Sequence, residues 1–402
     1  MGGRLNSLQS NCLQSVEVAS AFAQGLLQGG WIQLHGPHTD PVEVPEVLLP
    51  TGSGVVLASG GSSGGQRFCL HPVAHLDRSA AATARWLQAI GIAPELSLVL
   101  NPLPFHHVSG LMPWWRSRCW GAEHAWLMPE WMKHPAELIA FCKGLPSWQE
   151  GPALLSLVPT QLSRLLADPL GLAWLQQFAV IWVGGAALSD ALAERARAEQ
   201  VKLSPCYGAT ETAAMVTALP PDRFLAGESG CGPALVDVEL RVDADGALQV
   251  RLPRLAIGSW RMDQPDLLSP LTDSEGWWRS GDRAELVPEL HVLGRLDGAI
   301  HSGGETVFPE QLEARLMEAA QGMALPVDAV LLLGVEDPEW GDRLVALVRS
   351  PEDSVLERLE QLTMGWPAAE RPRRWLLCPD LAPTQAGKWQ RAYWRHWLVG
   401  HS

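Results

Sequence analysis

The sequence predicts an α/β protein: a large N-terminal domain of mainly parallel, helix-covered sheets, a small β-rich subdomain and a small α+β C-terminal domain. Between residues 55 and about 210, short apolar runs alternate with helical patterns, as in a parallel sheet covered by helices. From 225 to 291 the pattern changes to short strands with turns such as Asp245-Gly246. A second glycine segment, a helix and an apolar strand follow, and we place the domain boundary between 1–296 and 297–402.

Local periodicity predicts each element in chain order. A helix over residues 13–27 ends at Gly29-Gly30, and a Pro-rich connector follows it. The predicted strands are 55–58, 96–100, 125–128, 154–158, 180–183 and 203–206, and the predicted helices are 78–90, 135–142, 160–166 and 189–199. The last helix opens with a Ser/Asp cap. In the C-terminal part, Pro309 begins a helix with one apolar face, and a buried-type strand covers 330–335.

Composition excludes several classes of partner. A formal net charge of −14 argues against nucleic acid or an anionic membrane surface as the main partner. No apolar run approaches the roughly 20 residues of a membrane span, and residues 1–7 lack the apolar core of a signal peptide, so we expect a cytoplasmic protein. The seven cysteines are scattered without a C-x-x-C pair, which suggests neither a zinc site nor a disulfide framework.

An unusual loop follows the first predicted strand. Residues 59–65 are all glycine or serine, and the run then passes through Gln66 to the cation of Arg67. Glycines let backbone N–H groups turn inward and serines add hydroxyl donors, so the loop is suited to surround a polyanion. It is not the Walker A pattern, because no Gly-Lys-Ser/Thr follows. Taken alone, the run is equally compatible with a flexible surface turn.

Four further segments favour the phosphate interpretation. They are Val183-Gly184-Gly185-Ala186-Ala187, Tyr207-Gly208-Ala209-Thr210-Glu211-Thr212, Trp278-Arg279-Ser280-Gly281-Asp282 and Gly294-Arg295-Leu296-Asp297. Together they offer an aromatic ring for stacking, a carboxylate for a ribose diol, donors for phosphates and a carboxylate for magnesium. These are the groups that a nucleoside triphosphate requires.

In order and spacing, these motifs resemble the adenylate-forming superfamily of acyl-CoA ligases, peptide-synthetase adenylation domains and luciferases, over residues 55 to about 390. Within it, three segments look most like the o-succinylbenzoate-CoA ligases of menaquinone and phylloquinone biosynthesis: 105–110, 157–166 and 300–305. The resemblance implies a two-step reaction. A carboxylate attacks the α-phosphate of ATP and releases pyrophosphate, and the thiol of CoA then displaces AMP.

The resemblance also implies a role for each matching residue. For ATP, the residues are Ser59, Gly60, Gly61, Ser62, Ser63, Gly64 and Arg67 around the phosphates, Gly185 and Ala186 beside the flat ring, Tyr207 with Gly208 stacking on adenine, and Asp282 with Arg295 at the ribose. Thr210 would contact the phosphates and Glu211 would bind Mg²⁺, while His107, Ser109 and Thr160 would line the acid pocket. The C-terminal domain of this family swings after adenylation, so Asp297 would be the pivot and Ser302, Gly303 and Gly304 would line the pantetheine channel.

Lys388 would bridge the substrate carboxylate and the α-phosphate. Lysine occurs only at 133, 143, 202 and 388, so arginine supplies the other 26 of the 30 basic residues. This scarcity independently favours a role that needs a compact ammonium on a flexible stem.

Each of these residues has a plainer interpretation. Asp282 could cap a turn, Glu211 could be an exposed acid, and the histidines at 106 and 107 could be structural. The 19 tryptophans are better explained by packing than by a binding surface.

The chain also departs from the family in two ways. Fewer residues precede the phosphate loop, which implies a trimmed N-terminal subdomain, and Gln66-Arg67 stands where the family has Pro-Lys. Arginine can still bind phosphate, so we expect reduced rather than absent ATP use.

The sequence therefore predicts an AMP-forming acid-thiol ligase that uses ATP, Mg²⁺ and CoA. Its favoured substrate is o-succinylbenzoate, an aromatic carboxylic acid. Two alternatives remain: a CoA ligase for another aryl or short acyl acid, and a non-catalytic protein that only binds an adenylate. The sequence does not indicate an oligomeric state.

Overall fold

The structure is a computed structural model that describes residues 5–10, 16–37, 39–59, 67–296, 298–302, 305–384 and 389–400. The residues at 60–64, 297, 303, 304 and 388, which the sequence analysis assigned to the phosphate loop, the pivot, the pantetheine channel and the catalytic lysine, lie outside this range. Within the described part of the chain, the strands form four sheets. None of the described helices is both long enough and apolar enough to cross a bilayer.

The first sheet combines the N-terminal strands with a later hairpin. Its strands are β1 (Leu5–Gln9), β2 (Trp31–His35), β3 (Gly54–Ser59), β4 (Arg67–Pro72), β13 (Ser259–Arg261) and β14 (Gln264–Ser269), in the order β1-β2-β3-β4-β13-β14. The pairs β1/β2 and β2/β3 are parallel, whereas the remaining pairs are antiparallel. Helix α1 (Val16–Leu27) connects β1 to β2 and buries Phe22 against the sheet's core cluster. This sheet is therefore mixed, and it presents the ends of β3 and β4 side by side.

The second sheet is the predicted parallel one. It contains β5 (Leu98–Asn101), β6 (Glu123–Trp126), β7 (Ala153–Leu157), β8 (Val180–Val183), β9 (Leu203–Ala209) and β10 (Ala214–Ala218), in the order β10-β9-β8-β7-β5-β6. All pairs are parallel except β9/β10. The covering helices are α2 (Val73–Ala89), α3 (Val108–Trp120), α4 (Pro135–Lys143), α5 (Pro159–Ala167), α6 (Pro169–Leu175), α7 (Asp190–Ala198) and α8 (Pro221–Leu225).

Helices cover both faces of the parallel sheet, and alternate residues of each strand point to opposite faces. In β8, Ile181 packs into the cluster under α4 to α6, and Trp182 packs into the cluster under α2 and α3. The carboxyl ends of β7, β8 and β9 thus share one edge of the sheet. Ligands of open α/β sheets bind at this edge.

The predicted β-rich subdomain is a four-stranded antiparallel sheet. Its strands are β11 (Glu239–Val242), β12 (Ala247–Arg251), β15 (Trp278–Leu286) and β16 (Leu290–Arg295), in that order. Gly246 has φ +80°, the left-handed conformation that the Asp-Gly turn predicted. In the β15/β16 pair, Asp282 lies opposite Arg295.

The C-terminal part is a separate α+β layer. Its strands are β17 (Ile300–Ser302), β18 (Glu305–Val307), β19 (Ala329–Asp337), β20 (Gly341–Arg349) and β21 (Arg374–Leu377). Its helices are α9 (Pro309–Gly322), α10 (Val355–Thr363) and α11 (Arg391–Val399). Leu312 and Leu316 of α9 are buried, as the one-sided apolar pattern predicted. The α/β architecture with a small second layer is confirmed.

Several element boundaries differ from the sequence prediction. Residues 94–96 form a 3₁₀ helix that starts with Pro94, so β5 begins two residues later than expected. The strand predicted at 125–128 runs from Glu123 to Trp126, because a second 3₁₀ helix begins at Pro129. Helix α3 was not predicted, since Gly110 and Pro113 interrupt its helical pattern. Both residues are nevertheless buried within α3.

Candidate active site

The first residue of the Gly/Ser loop contacts one carboxylate. Ser59 ends β3 and lies opposite Arg67, the first residue of β4. The buried hydroxyl Oγ of Ser59 donates a hydrogen bond to Oε1 of Glu211, with an O–O distance of 2.7 Å. The backbone carbonyl of Glu211 accepts from the amide of Ala256 at 2.8 Å. The loop that the sequence assigns to phosphates and the carboxylate that it assigns to Mg²⁺ are therefore neighbours.

Cys69 lies on the same face of β4 as Arg67 and is fully buried. Burial raises the pKa of its thiol well above the usual value, and the nearby Glu211 carboxylate adds to this effect. Cys69 is therefore a neutral thiol that packs beside Ser59 and Glu211. None of the sequence motifs indicates a role for Cys69.

A second group of predicted residues surrounds Asp282. The hydroxyl of Tyr207 donates to Oδ2 of Asp282 at 2.5 Å, and Nη1 of Arg295 lies 3.4 Å from Oδ1. Burial raises the pKa of Tyr207 well above its ordinary value, and the charge of Asp282 raises it further. The phenol is thus a neutral donor, and the ring of Tyr207 is held in one orientation.

Strand β9 connects the two groups. It contains Tyr207 and leads through Thr210 to Glu211, so three predicted ATP residues follow from one strand end. Gly208 is required there, since a Cβ at this position would lie 2.3 Å from the carbonyl oxygen of Ala214 on the neighbouring strand. The close approach of β10 therefore explains the glycine of this motif.

The turns after β7 and β8 form the rest of the edge. Gly185 has φ +81° and is exposed together with Ala186, so the backbone of this turn is open to a ligand. Thr160 is exposed in the first turn of α5, which follows β7 directly. These three residues lie at the carboxyl edge of the sheet.

The predicted acid-side histidine lies at the start of α3. His107 is half-buried at the N-cap position, and its ring centroid is 4.3 Å from that of His106. Burial lowers the pKa of His106 to about 4, so His106 is neutral at pH 7. Ser109 is exposed, whereas Ser302, assigned to the pantetheine channel, is buried in β17 of the C-terminal sheet.

Within the described residues, no group of three or more histidine, cysteine, aspartate or glutamate side chains could bind a metal ion. One protein carboxylate is nonetheless enough for a magnesium ion that phosphates and water also coordinate. Glu211 fits this arrangement, because Ser59 binds only one of its two carboxylate oxygens.

Sequence reasoning missed Arg116. Its side chain is buried in α3, and its guanidinium lies 5.6 Å from the ring centroid of Trp182. Its Nε and Nη2 have no hydrogen-bond partner among the described residues. Burial lowers the pKa of Arg116 to about 10, which still leaves a full positive charge at pH 7. The only sequence signal was an arginine inside an apolar, tryptophan-rich segment.

Comparisons with known proteins identify the relatives of this chain. The sequence profile of the AMP-binding enzyme family matches residues 59–252. A 2-succinylbenzoate--CoA ligase of Salmonella typhimurium is 31% identical over 342 residues, which cover 84% of this chain and 67% of that protein. The corresponding ligase of Escherichia coli is 32% identical over 301 residues, which cover 74% and 60%. The chain thus spans about two thirds or less of the length of these relatives.

Solved structures show the same fold. The o-succinylbenzoate CoA synthetase of Bacillus subtilis, in complex with its acyl-adenylate intermediate, superposes with a TM-score of 0.78 at 19% identity and covers 98% of this chain and 88% of its own. A variant of the E. coli protein MenE with bound OSB-AMS gives a TM-score of 0.74 at 24% identity, covering 100% of this chain and 89% of its own. With the Salmonella relative as the decisive match, the chain belongs to the family of AMP-binding enzymes that includes the 2-succinylbenzoate--CoA ligases.

Proposed function

We propose that this protein is an AMP-forming ligase that activates 2-succinylbenzoate (o-succinylbenzoate) with ATP and transfers the acyl group to CoA. The hydrogen bond from Ser59 to Glu211 is the observation on which the proposal chiefly depends. It joins the end of a loop suited to phosphates to the carboxylate suited to Mg²⁺. Named relatives with this activity supply the substrate.

The residues present fit a magnesium–ATP complex. Glu211 has a carboxylate oxygen for Mg²⁺, and Thr210 and Arg67 offer a hydroxyl and a cation near the phosphates. Tyr207 stacks on adenine, and Asp282 with Arg295 binds the ribose hydroxyls. The magnesium ion supplies positive charge to the phosphates, which are the leaving group of the first step. The solved ATP–magnesium complex of the Bacillus subtilis synthetase supports this choice of nucleotide and ion.

The first step forms a bond between a carboxylate oxygen of the acid and the α-phosphorus of ATP, and pyrophosphate leaves. In the second, the sulfur of CoA attacks the acyl carbon and AMP leaves. The protein chiefly orients the reactants and stabilises charge on the phosphate. Lys388 bridges the carboxylate and the α-phosphate, and Arg391 fixes the chain three residues beyond it through a buried pair with Glu313.

We further propose two domains, 1–296 and 297–402, that rotate about Asp297 between the two steps. In the adenylation state Lys388 enters the site, and in the thiolation state the segment of Ser302, Gly303 and Gly304 lines the channel for pantetheine. The separate hydrophobic core of the C-terminal layer, which includes Leu316 and Leu332, supports its treatment as a domain.

The second carboxylate of 2-succinylbenzoate needs a cation, and Arg116 is our candidate. Its guanidinium lies 5.6 Å from the ring centroid of Trp182, the residue before the end of β8. A buried guanidinium with free N–H groups is costly unless an anion satisfies it. A dianionic acid bound near His107, Ser109 and Thr160 would provide this anion, directly or through water.

Pyrophosphate release across a panel of acids tests the proposal. We expect activity with 2-succinylbenzoate, Mg²⁺ and ATP, much weaker activity with benzoate, which lacks the second carboxylate, and loss of the first step in Lys388→Ala. Arg116→Met should raise KM for 2-succinylbenzoate more than tenfold. Arg118, which is exposed on the same helix, is the control, and Arg118→Met should change KM little.

The same panel separates the alternatives. Preference for another acid would favour a ligase of different specificity. Binding of ATP without pyrophosphate release from any acid would favour a non-catalytic adenylate-binding protein, and activity that survives Lys388→Ala would refute the mechanism. We infer a cytoplasmic location, where ATP and CoA occur and where thiols such as Cys69 stay reduced.

A further inference from the structure

The turn that presents Thr210 and Glu211 has an unusual backbone. Residues Ala213 and Ala214, which follow it directly, have φ values of +52° and +76°. Left-handed conformations are costly for residues with a Cβ, and two in succession persist only where surrounding contacts impose them. The local sequence offers no glycine at either position. The cause of this conformation must therefore lie elsewhere in the fold.

The carbonyl groups of this turn all find partners. His71 in β4 donates through Nε2 to the carbonyl of Thr210 at 2.7 Å, and Ser79 in α2 donates to that of Ala213 at 2.6 Å. Burial lowers the pKa of His71 to about 4, so its ring is a neutral donor at pH 7. Both side chains are fully buried. Two elements distant in the sequence thus hold two points of the turn.

Arg254 supplies the largest set of contacts. Its Nη1 donates to the carbonyl of Thr212 at 2.6 Å, and its Nη2 donates to that of Met215 at 3.0 Å. Its Nε donates to Oδ2 of Asp237 at 2.8 Å, so the charge is paired. The side chain of Arg254 has 0% exposure. One planar guanidinium thus spans the two strained residues and binds the backbone on both sides of them.

We propose that Arg254 is a positioning residue that holds the turn 209–215 in its left-handed conformation and so orients Thr210 and Glu211 toward magnesium–ATP. The inference rests on the proposed function for its consequence, but its structural part does not depend on turnover. Lysine would not replace Arg254, because a single ammonium cannot reach two carbonyls and a carboxylate in these directions. Without Arg254, two buried carbonyls would lose their donor and Asp237 its counter-ion.

The test compares Arg254→Met with Arg251→Met. Arg251 is a matched control, since its side chain is 42% exposed and pairs with Glu239 at the surface. Hydrogen exchange of the 209–215 amides and the Kd for magnesium–ATP are measured on the full chain. In Arg254→Met we expect at least tenfold faster exchange in this segment and at least tenfold weaker binding. Both values should stay within twofold of the parent protein in Arg251→Met.

A rescue separates positioning from general damage. Glycine adopts φ values near +76° without strain. In the Arg254→Met background, Ala214→Gly should therefore lower the Kd for magnesium–ATP at least threefold. In the parent protein, Ala214→Gly should change the affinity by less than twofold. A merely structural role for Arg254 would not predict recovery from a substitution that adds no contact.

Three outcomes would overturn the inference: parental exchange in a folded Arg254→Met protein, weaker binding without faster exchange, or no rescue by Ala214→Gly. If Arg254→Met does not fold, Arg254→Lys, which keeps the charge beside Asp237, is measured against the same expectations. The parent protein could fail to release pyrophosphate with every acid of the panel while exchange and rescue behave as expected. In that case the ligase proposal fails and the positioning role of Arg254 stands.

Discussion

The buried pair between Arg391 and Glu313 leads to a quantitative prediction. Nη1 and Nη2 of Arg391 donate to the two carboxylate oxygens of Glu313 at 2.8 Å each, and Nη1 also donates to the carbonyl of Leu332 at 2.8 Å. Both side chains are almost fully buried. Arg391→Met would leave a carboxylate in the core without its counter-ion, and changes of this kind cost about 3–5 kcal/mol.

The charge of Glu313 sets the pH dependence of this cost. Burial raises the pKa of Glu313 to about 7, and loss of the guanidinium would raise it further. When the pKa of a carboxyl group is higher in the folded protein than in the unfolded chain, the folded protein becomes less stable as the pH rises above the unfolded value, about 4.5. The free-energy deficit of Arg391→Met should therefore be larger at pH 8 than at pH 6.

Urea unfolding followed by tryptophan fluorescence measures the effect. The control is Arg315→Met, because Arg315 pairs with Glu370 at 3.2 Å in an exposed position on α9, where ion pairs contribute about 1 kcal/mol or less. The double variant Arg391→Met/Glu313→Leu removes both charges and should recover most of the stability. The reasoning is wrong if Arg391→Met costs no more than Arg315→Met, or if its deficit is independent of pH.

Two further predictions concern the ATP side of the site, and a third concerns the effect of His71 on stability. Tyr207→Phe removes the hydrogen bond to Asp282 and should weaken ATP binding about 5- to 30-fold, equivalent to about 1–2 kcal/mol, in a calorimetric titration, with the acid's KM unchanged. Gly208→Ala places a Cβ 2.3 Å from the Ala214 carbonyl and should abolish magnesium–ATP binding while the protein still folds; ordinary binding would contradict the close approach of β10. The pKa of His71 is about 4 in the folded protein and 6.5 in the unfolded chain, so the unfolded chain binds the proton more readily. The free energy of unfolding should therefore decrease by about 3 kcal/mol as the pH falls from 6.5 to 4. The difference between parent and His71→Gln stability curves over that pH range isolates this contribution, and parallel curves would refute it.

Sequence patterns predicted most of the parallel sheet, the β-rich hairpin and helix α9, because burial on alternate or helical faces leaves a local periodic signal. They failed at α3, where Pro113 and Gly110 break the helical pattern but tertiary packing keeps the helix. Loop motifs placed Tyr207 and Glu211 at one strand end, since glycine requirements and strand ends are local properties. The role of each of these residues remains a prediction.

By itself, the sequence determined most strands of the parallel sheet and helix α9, and it placed the phosphate loop, Tyr207 and Asp282 in an order typical of an adenylate-forming enzyme. Only the tertiary structure identified Arg116 and Arg254, since neither belongs to a motif. The reason is physical: the carbonyls that Arg254 binds lie 42 and 39 positions away in the chain. A buried cation is defined by the partners that folding brings to it, and no local pattern contains that information.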